Sequence, residues 1–432
     1  MIWEKVKLGD VAESCLGKML DQEKNKGEYQ PYLANLNVRW GSFDLDDLPE
    51  MKFEEHEQER YGLKYGDLVI CEGGEPGRCA IWKDQISNMK IQKALHRVRV
   101  NSNMDYRYLF YWFLLAGKNN ALDQYFTGAT IKHMPGQKLK QIIIDKPPIE
   151  TQKKIADILS AYDDLIENNQ KQIKLLEEAA QRLYKEWFID LHFPGYESTP
   201  ITDGIPQGWK KEKLGDFAPI LTGKKDANFG TENGEYPFFT CSQEPIKAPS
   251  YSFDTSAVIL AGNGDFNVKL YRGKFEAYQR TYVLSPYEEK YLYLLYYTVN
   301  DNMTNFIKGA SGSTIKFLTK GMIENVELYI PNNSILGQFN SFMESVQGKI
   351  ECLKLSTTNA IEARDRLLPK LMNGEIEVAV NKQETVMVDK FENIRKHWQN
   401  VPYDKDLPLA ARSTGDISEE TLEKLKEIAE EE

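Results

Sequence analysis

Apolar residues recur in alternating steps of three and four between residues 152 and 188: Leu159, Tyr162, Ile166, Asn169, Ile173, Leu176, Ala180, Leu183 and Trp187, with no Pro or Gly in the run. This is a heptad seam, narrower than the apolar stripe of a helix lying on one globular core. At about 1.5 Å per residue such a helix is roughly 55 Å long. That is too long for burial in one compact domain, so it requires a partner helix. The chain holds one: Phe339, Met343, Val346, Ile350, Leu353, Thr357, Ala360, Arg364, Leu367 and Leu371 repeat the alternation over a similar length. Two seams in one chain predict an intramolecular pair. Asn169 stands in the first seam, where a lone polar residue commonly fixes register at a cost in stability. Thr357 and Arg364 make the second seam the weaker one. The alternative for the first seam is an amphipathic helix lying on its own domain.

The segments before the two helices repeat one another. Trp3-Glu4-Lys5-Val6-Lys7-Leu8-Gly9-Asp10 is answered, 206 residues on, by Trp209-Lys210-Lys211-Glu212-Lys213-Leu214-Gly215-Asp216. Thr130-Ile131-Lys132 is answered by Thr314-Ile315-Lys316 at an offset of 184. Between them, Asp67-Leu68-Val69-Ile70 matches Ser256-Ala257-Val258-Ile259 at 189, and Gln92-Lys93 matches Gln279-Arg280 at 187. The extra length of the first copy therefore falls before Asp67, in the acidic stretch 42–60. Each copy reads as a globular part, an apolar strand ending at Pro147 or Pro331, and a long helix. Short apolar runs enter the turns Gly73-Gly74 and Gly262-Asn263-Gly264. These read as tight turns between buried strands, with a backbone phosphate cradle as the alternative. Aromatic helices are expected over 106–116 and 289–298. The layout is then a domain over 1–150, a helix over 151–192, a breaker-rich linker over 193–208, a second domain over 209–333 and a second helix over 334–376. An acidic tail follows over 377–432, with a helix from near Ser418. The fold class is α/β (α+β).

Charge changes this picture less than it first promises. The net charge of −11 speaks against a uniformly basic surface, yet the acidity is local. Residues 1–148 carry 21 basic and 21 acidic groups, residues 205–335 carry 14 of each, and the tail from Asn381 carries 8 and 13. Eight of the acids fall in 42–60, so the rest of the first domain has a basic surplus and room for a basic face. The longest apolar run, 108–116, is about half a membrane span, and Met1-Ile2-Trp3-Glu4 does not read as a secretory leader. The expected location is the cytoplasm. Cys15, Cys71, Cys79, Cys241 and Cys352 form no close pair and read as reduced thiols. None of the Gly-Lys pairs has the preceding Gly of a P-loop, there is no GxGxxG, and His56, His96, His133, His192 and His397 lack metal spacing. Asp145-Lys146-Pro147-Pro148 lacks the amide and aromatic of an amino-methyltransferase tetrapeptide. Glu50-Met51-Lys52 has a nuclease-like spacing but lies in the acidic insert. No catalytic or metal-binding residue is assigned.

The order of these motifs resembles the specificity subunit of type I restriction-modification systems. It is carried by WxxxKLGD, GDLVICEGGEPGRCAIW from Gly66, TGATIKHM from Thr127, IIIDKPPIETQKKI from Ile142, a helix ending LYKEWF, IPQGWKKEKLGD from Ile205, GASGSTIKFL, and a second helix ending RDRLLPKLMNGEI. The likeness covers roughly residues 1–377. The second Gly-rich turn departs from the first, and the tail beyond about residue 380 matches nothing in the family. The resemblance implies two target recognition domains, each reading one half of an interrupted double-stranded DNA site, and two helices paired as an antiparallel coiled coil that spaces them. It also implies that catalysis lies elsewhere. Two methyltransferase (M) subunits would bring S-adenosylmethionine, and restriction/translocase (R) subunits would bring ATP and Mg, with no cofactor in this chain and no membrane contact. Base edges and phosphates are met mainly by Arg, Lys, Asn, Gln and small polar groups. The candidates are Lys18, Arg39, Arg78, Lys93, His96, Arg97, Lys132 and His133 in the first copy. In the second they are Lys224, Lys225, Asn228, Asn263, Asn267, Lys269, Arg272, Arg280 and Lys316. The recurring Thr-Ile-Lys is expected to hold the fold or touch backbone. Two other readings remain at this point: the recognition part of a stand-alone restriction nuclease-methylase, for which the chain lacks room, and a coiled-coil scaffold without DNA affinity.

Overall fold

The computed structural model describes residues 3–21, 25–312 and 316–378. The expected helix near Ser418, and Thr314 and Ile315 of the second Thr-Ile-Lys, lie outside these residues.

Two helices form the axis of the molecule. The first rod helix, Ile149–Tyr184, continues into a π-helical turn, Lys185–Ile189. The second, Asn333–Met372, is capped by Asn332, whose side chain accepts from the Ile335 amide at 3.0 Å and so satisfies one of the donors a helix start leaves over. Leu159 packs with Leu368 and Leu371 at one end, Asp163 meets Arg364, Asn169 meets Ser356, and Phe188 meets Phe339 edge to face at 4.8 Å at the other. Numbers rise along one helix as they fall along the other, so the pair is antiparallel. Asn169 is buried and donates to Ser356 Oγ at 3.1 Å. Leaving such a group unsatisfied would cost about 1–3 kcal/mol, so the bond selects one register. Arg364 does not weaken the seam as expected. Its guanidinium pairs with Asp163 across the rod and with Asp365 on its own helix, and Tyr111 of the first domain donates to the same Asp163.

The domains sit at opposite ends of the rod, and each has its own sheet in which the same four-strand order recurs. In the first, strands Ala12–Leu16, Leu95–Val100, Leu68–Cys71 and Cys79–Ile81 lie side by side in that order, all antiparallel. In the second, Ile220–Thr222, Thr281–Leu284, Phe253–Ala261 and Val268–Ala277 repeat the order. Register gives the correspondence residue by residue. His96 faces Leu16 and Ile70, and Tyr282 faces Thr222 and Leu260. Leu16 and Thr222 are 206 apart, Ile70 and Leu260 are 190 apart, and His96 and Tyr282 are 186 apart. The offsets of 189 and 187 read from sequence are thus each corrected by one residue. Short apolar runs look alike after a one-residue slip, whereas the ladder fixes which side chains face inward. The offset is still 206 at Leu33 and Phe239, whose carbonyls accept from the Gln92 and Tyr278 amides, so the extra residues lie between 33 and 68. There the chain forms strands Ser42–Phe43 and Glu50–Phe53 and the helix Gln58–Tyr61.

Each domain closes on the rod in the same way. Glu4–Lys7 pairs with Ile143–Lys146 and Lys210–Lys213 with Glu327–Ile330, and both second strands lead into a rod helix. Trp209 packs on Phe188 and Phe193 at the end of the first rod helix. Trp3 lies against Gly374 at the end of the second, so close that a Cβ there would come within 3.1 Å of its ring. Each repeat therefore begins against the helix of the other, which is a pseudo-twofold arrangement. Aromatic helices Tyr106–Lys118 and Leu292–Asp301 join sheet to rod, the first started by Asp105 accepting from the Arg107 and Tyr108 amides. Tyr184 of the rod bonds Thr298 Oγ1 at 3.0 Å. Among the described residues no helix is long and apolar enough to cross a membrane.

Candidate nucleic-acid interface

Five loops meet at the far end of each sheet, and backbone hydrogen bonds hold them in the same way in both copies. The turn that leads into Leu95–Val100, or into Thr281–Leu284 in the second domain, is bonded to the first loop: Lys93 N to Lys18 O at 2.7 Å, and Gln279 N to Lys225 O at 2.9 Å. The Gly-rich turn is bonded to that turn: Glu72 N to Ala94 O, and Gly262 N to Arg280 O, both at 2.8 Å. Both Gly-rich turns join adjacent antiparallel strands, as the hairpin reading expected. A side chain from a fourth loop steadies each: Asn35 Nδ2 donates to Gly73 O at 2.9 Å, and the Cys241 thiol donates to Asn263 Oδ1 at 2.8 Å. The fifth loop, 127–133 or 311–317, leans on the Gly-rich turn through Met134 N to Glu72 O and Leu318 N to Gly262 O, both at 2.8 Å.

Several candidates from the sequence gather here. Lys93, Lys132, His133 and Arg39 are exposed, and Arg78 is half-buried, donating to Glu75 and to Asn35 O. In the second domain, Lys224, Asn228, Arg280 and Lys316 are exposed, and Lys225 lies over the Phe229 ring at 4.4 Å. Asn267 donates to Cys241 O at 3.1 Å, and Lys269 donates to Ser242 O at 2.8 Å. Burial holds the Lys269 ammonium below its ordinary pKa, against the opposing pull of Glu244 and Asp265.

Four candidates are placed elsewhere. Lys18 is 3 % exposed, and its Nζ pairs with Glu57 and donates to Lys52 O at 2.9 Å. Burial pushes the Glu57 carboxyl up, yet the bonds from Lys18 and the Glu54 amide outweigh it and hold the group below the ordinary carboxylate value. Arg97 is buried and donates to the carbonyls of Glu59, Arg60 and Gly62 at 2.9–3.1 Å. These two cations clasp the acidic insert from inside and are not surface contacts. His96 is buried too: its Nε2 bonds Met134 O at 2.9 Å, the place taken in the second domain by Tyr282 Oη on Leu318 O at 2.9 Å. It holds the fifth loop, and burial lowers its pKa. Arg272 lies over the Tyr293 ring and pairs with Glu344 of the second rod helix at 3.1 Å, so it ties domain to rod.

The tips also contain groups the sequence did not single out. Glu75 accepts from Trp40 Nε1 at 2.7 Å and from Arg78, and Asp265 accepts from Gln243 at 2.7 Å. With Asn35, Asn263 and Arg78 they present mixed donors and acceptors, the repertoire for base edges. The offset of 206 that relates Asn35 to Cys241 was available to find the fourth loop, but nothing local marks its residues.

A family model described as the type I restriction modification DNA specificity domain matches residues 2–178 and 206–363. The EcoDI specificity subunit of Escherichia coli is 37% identical over 176 residues, covering 40% of this chain and 39% of that one. The MjaIX specificity subunit of Methanocaldococcus jannaschii is 29% identical over 341 residues, covering 72% of this chain and 78% of that one. The crystal structure of the type I restriction-modification system S subunit from M. genitalium superimposes with a TM-score of 0.55 at 15% identity over 85% of this chain and 96% of that one, and so shares the fold. With both repeats matched over most of their length, the chain belongs to the type I restriction-modification DNA specificity family.

Proposed function

We propose that this chain is the non-catalytic specificity subunit of a type I restriction-modification complex and reads an interrupted double-stranded DNA site, one domain to each half. The observation that carries this reading is the pair of loop tips, built on one backbone hydrogen-bond scheme but faced with different side chains, at opposite ends of an antiparallel rod. A shared scaffold with altered tips suits two domains that bind the same polymer and read different sequences. The rod then sets the separation of the half-sites. Two methyltransferase subunits dock on the pseudo-twofold frame and supply S-adenosylmethionine chemistry, and restriction/translocase subunits bring ATP and Mg, all in the cytoplasm.

The test is reconstitution. The purified chain is expected to show no methylation, nuclease or ATPase activity, and to confer site-specific DNA methylation when combined with a methyltransferase subunit and S-adenosylmethionine. Methyl transfer by the chain alone would overturn the proposal.

A further inference from the structure

The fifth loop repeats both in sequence and in the backbone hydrogen bonds that close it. Thr127 and His133 exchange two backbone hydrogen bonds at 2.8 Å, and Ser311 and Phe317 exchange the same two at 3.0 and 2.8 Å. His96 and Tyr282 tie down the following residue from below in the same way. One position before the closing residue stands an exposed lysine in both copies, Lys132 and Lys316. The neighbouring Gly-rich tips, by contrast, carry Glu75 and Arg78 in one domain and Asn263, Asp265 and Asn267 in the other.

The fold does not demand this lysine. Lys132 Nζ lies 3.0 Å from Asp123, but both side chains are about half exposed, at 55% and 49%, and solvent screens the pair. The repeat places Ile307 where Asp123 stands, so that pairing cannot account for Lys316. Two domains that read different half-sites have one thing in common to bind, the phosphate backbone, which carries no sequence information. We infer that Lys132 and Lys316 contact phosphates at equivalent places in the two half-sites, supplying affinity while the Gly-rich tips supply discrimination. This assignment rests on the proposed DNA-reading function.

The experiment uses the complex with its methyltransferase partner and measures binding to a cognate and a non-cognate duplex across a salt series. Each of K132A and K316A is expected to lower the slope of log affinity against log salt by about one unit, and the double variant by about two. The loss should be equal on both duplexes and should leave the methylated sequence unaltered. K132R and K316R should restore the slope. An unchanged slope overturns the assignment, as does a loss confined to cognate DNA, which would make the lysines base readers, or failure to assemble with the methyltransferase, which would make the loops a protein contact. In all three cases the unaltered complex still binds DNA and the proposed function stands. Absence of DNA binding by the unaltered complex would overturn both.

Discussion

The two domains share a ladder, a loop scheme and a way of closing on the rod, yet they treat the same repeat positions in opposite ways. Lys18 is buried under the acidic insert, while its counterpart in the backbone scheme, Lys225, is half-exposed over the Phe229 ring. Arg97 is buried with three backbone carbonyls, while Val283 fills the same ladder position with apolar packing. The difference follows from the insert between residues 33 and 68. Its carbonyls and carboxylates need donors once covered, and a buried charge is tolerated only when paired. A cation in a repeat is therefore a surface group in one copy and an internal strut in the other, according to what covers it. The domains also grip the rod differently. The first uses ion pairs, Arg107–Asp157, Lys118–Asp365 and Lys83–Glu167. The second relies more on rings, with Tyr297 against Tyr184 and Phe339 and Trp209 against Phe188.

The most drastic way to break the comparison is to replace one side of it. Exchanging residues 209–330 for the corresponding domain of a relative is expected to change one half of the methylated site completely and leave the other half and the spacing as they were. Methylome sequencing reads the result, and simultaneous change in both halves would end the idea of independent domains.

Stability offers a second contrast at matched positions. K18A leaves Glu57 and the Lys52 carbonyl without their partner, and about 3 kcal/mol of stability should be lost from the first domain. K225A, at the equivalent half-exposed site, should cost no more than about 1 kcal/mol. Denaturant unfolding followed by hydrogen exchange in each sheet would separate the two, and equal losses would show that the burial difference is not energetically real.

His96 and Tyr282 sharpen the comparison through pH. Burial depresses the His96 pKa. Above its ordinary value of about 6.5 neither folded nor unfolded state holds the proton. As pH falls below that, the unfolded chain takes up a proton that the folded domain refuses, so stability declines by at most about 1.4 kcal/mol per pH unit until the folded pKa is reached. H96Y, which copies the second domain, should flatten the fall in the first domain's melting temperature between about pH 7.5 and 5.5. An identical fall in the variant would place the acid sensitivity elsewhere. The smallest effect is expected at the rod: K83A removes an ion pair whose members are 41% and 46% exposed, and should cost under about 0.5 kcal/mol and less still at high salt. A loss above about 2 kcal/mol would mean that this bridge, rather than the Tyr111–Asp163–Arg364 cluster, orients the first domain.

Periodicity and repetition were enough to find the rod, the duplication, the hairpin turns and Asn169 as the polar break in the seam, because these depend on spacing along the chain. An offset of 206 related the two entry segments without knowledge of a single contact. The one-residue slips at 189 and 187, the interior fate of Lys18, His96 and Arg97, and the attachment of Arg272 to Glu344 were decided only in three dimensions. A lysine or arginine has the same sequence signal whether it faces water or a buried carbonyl. What determines its role is the segment folded over it, and here that segment, the acidic insert, covers one copy and is missing from the other.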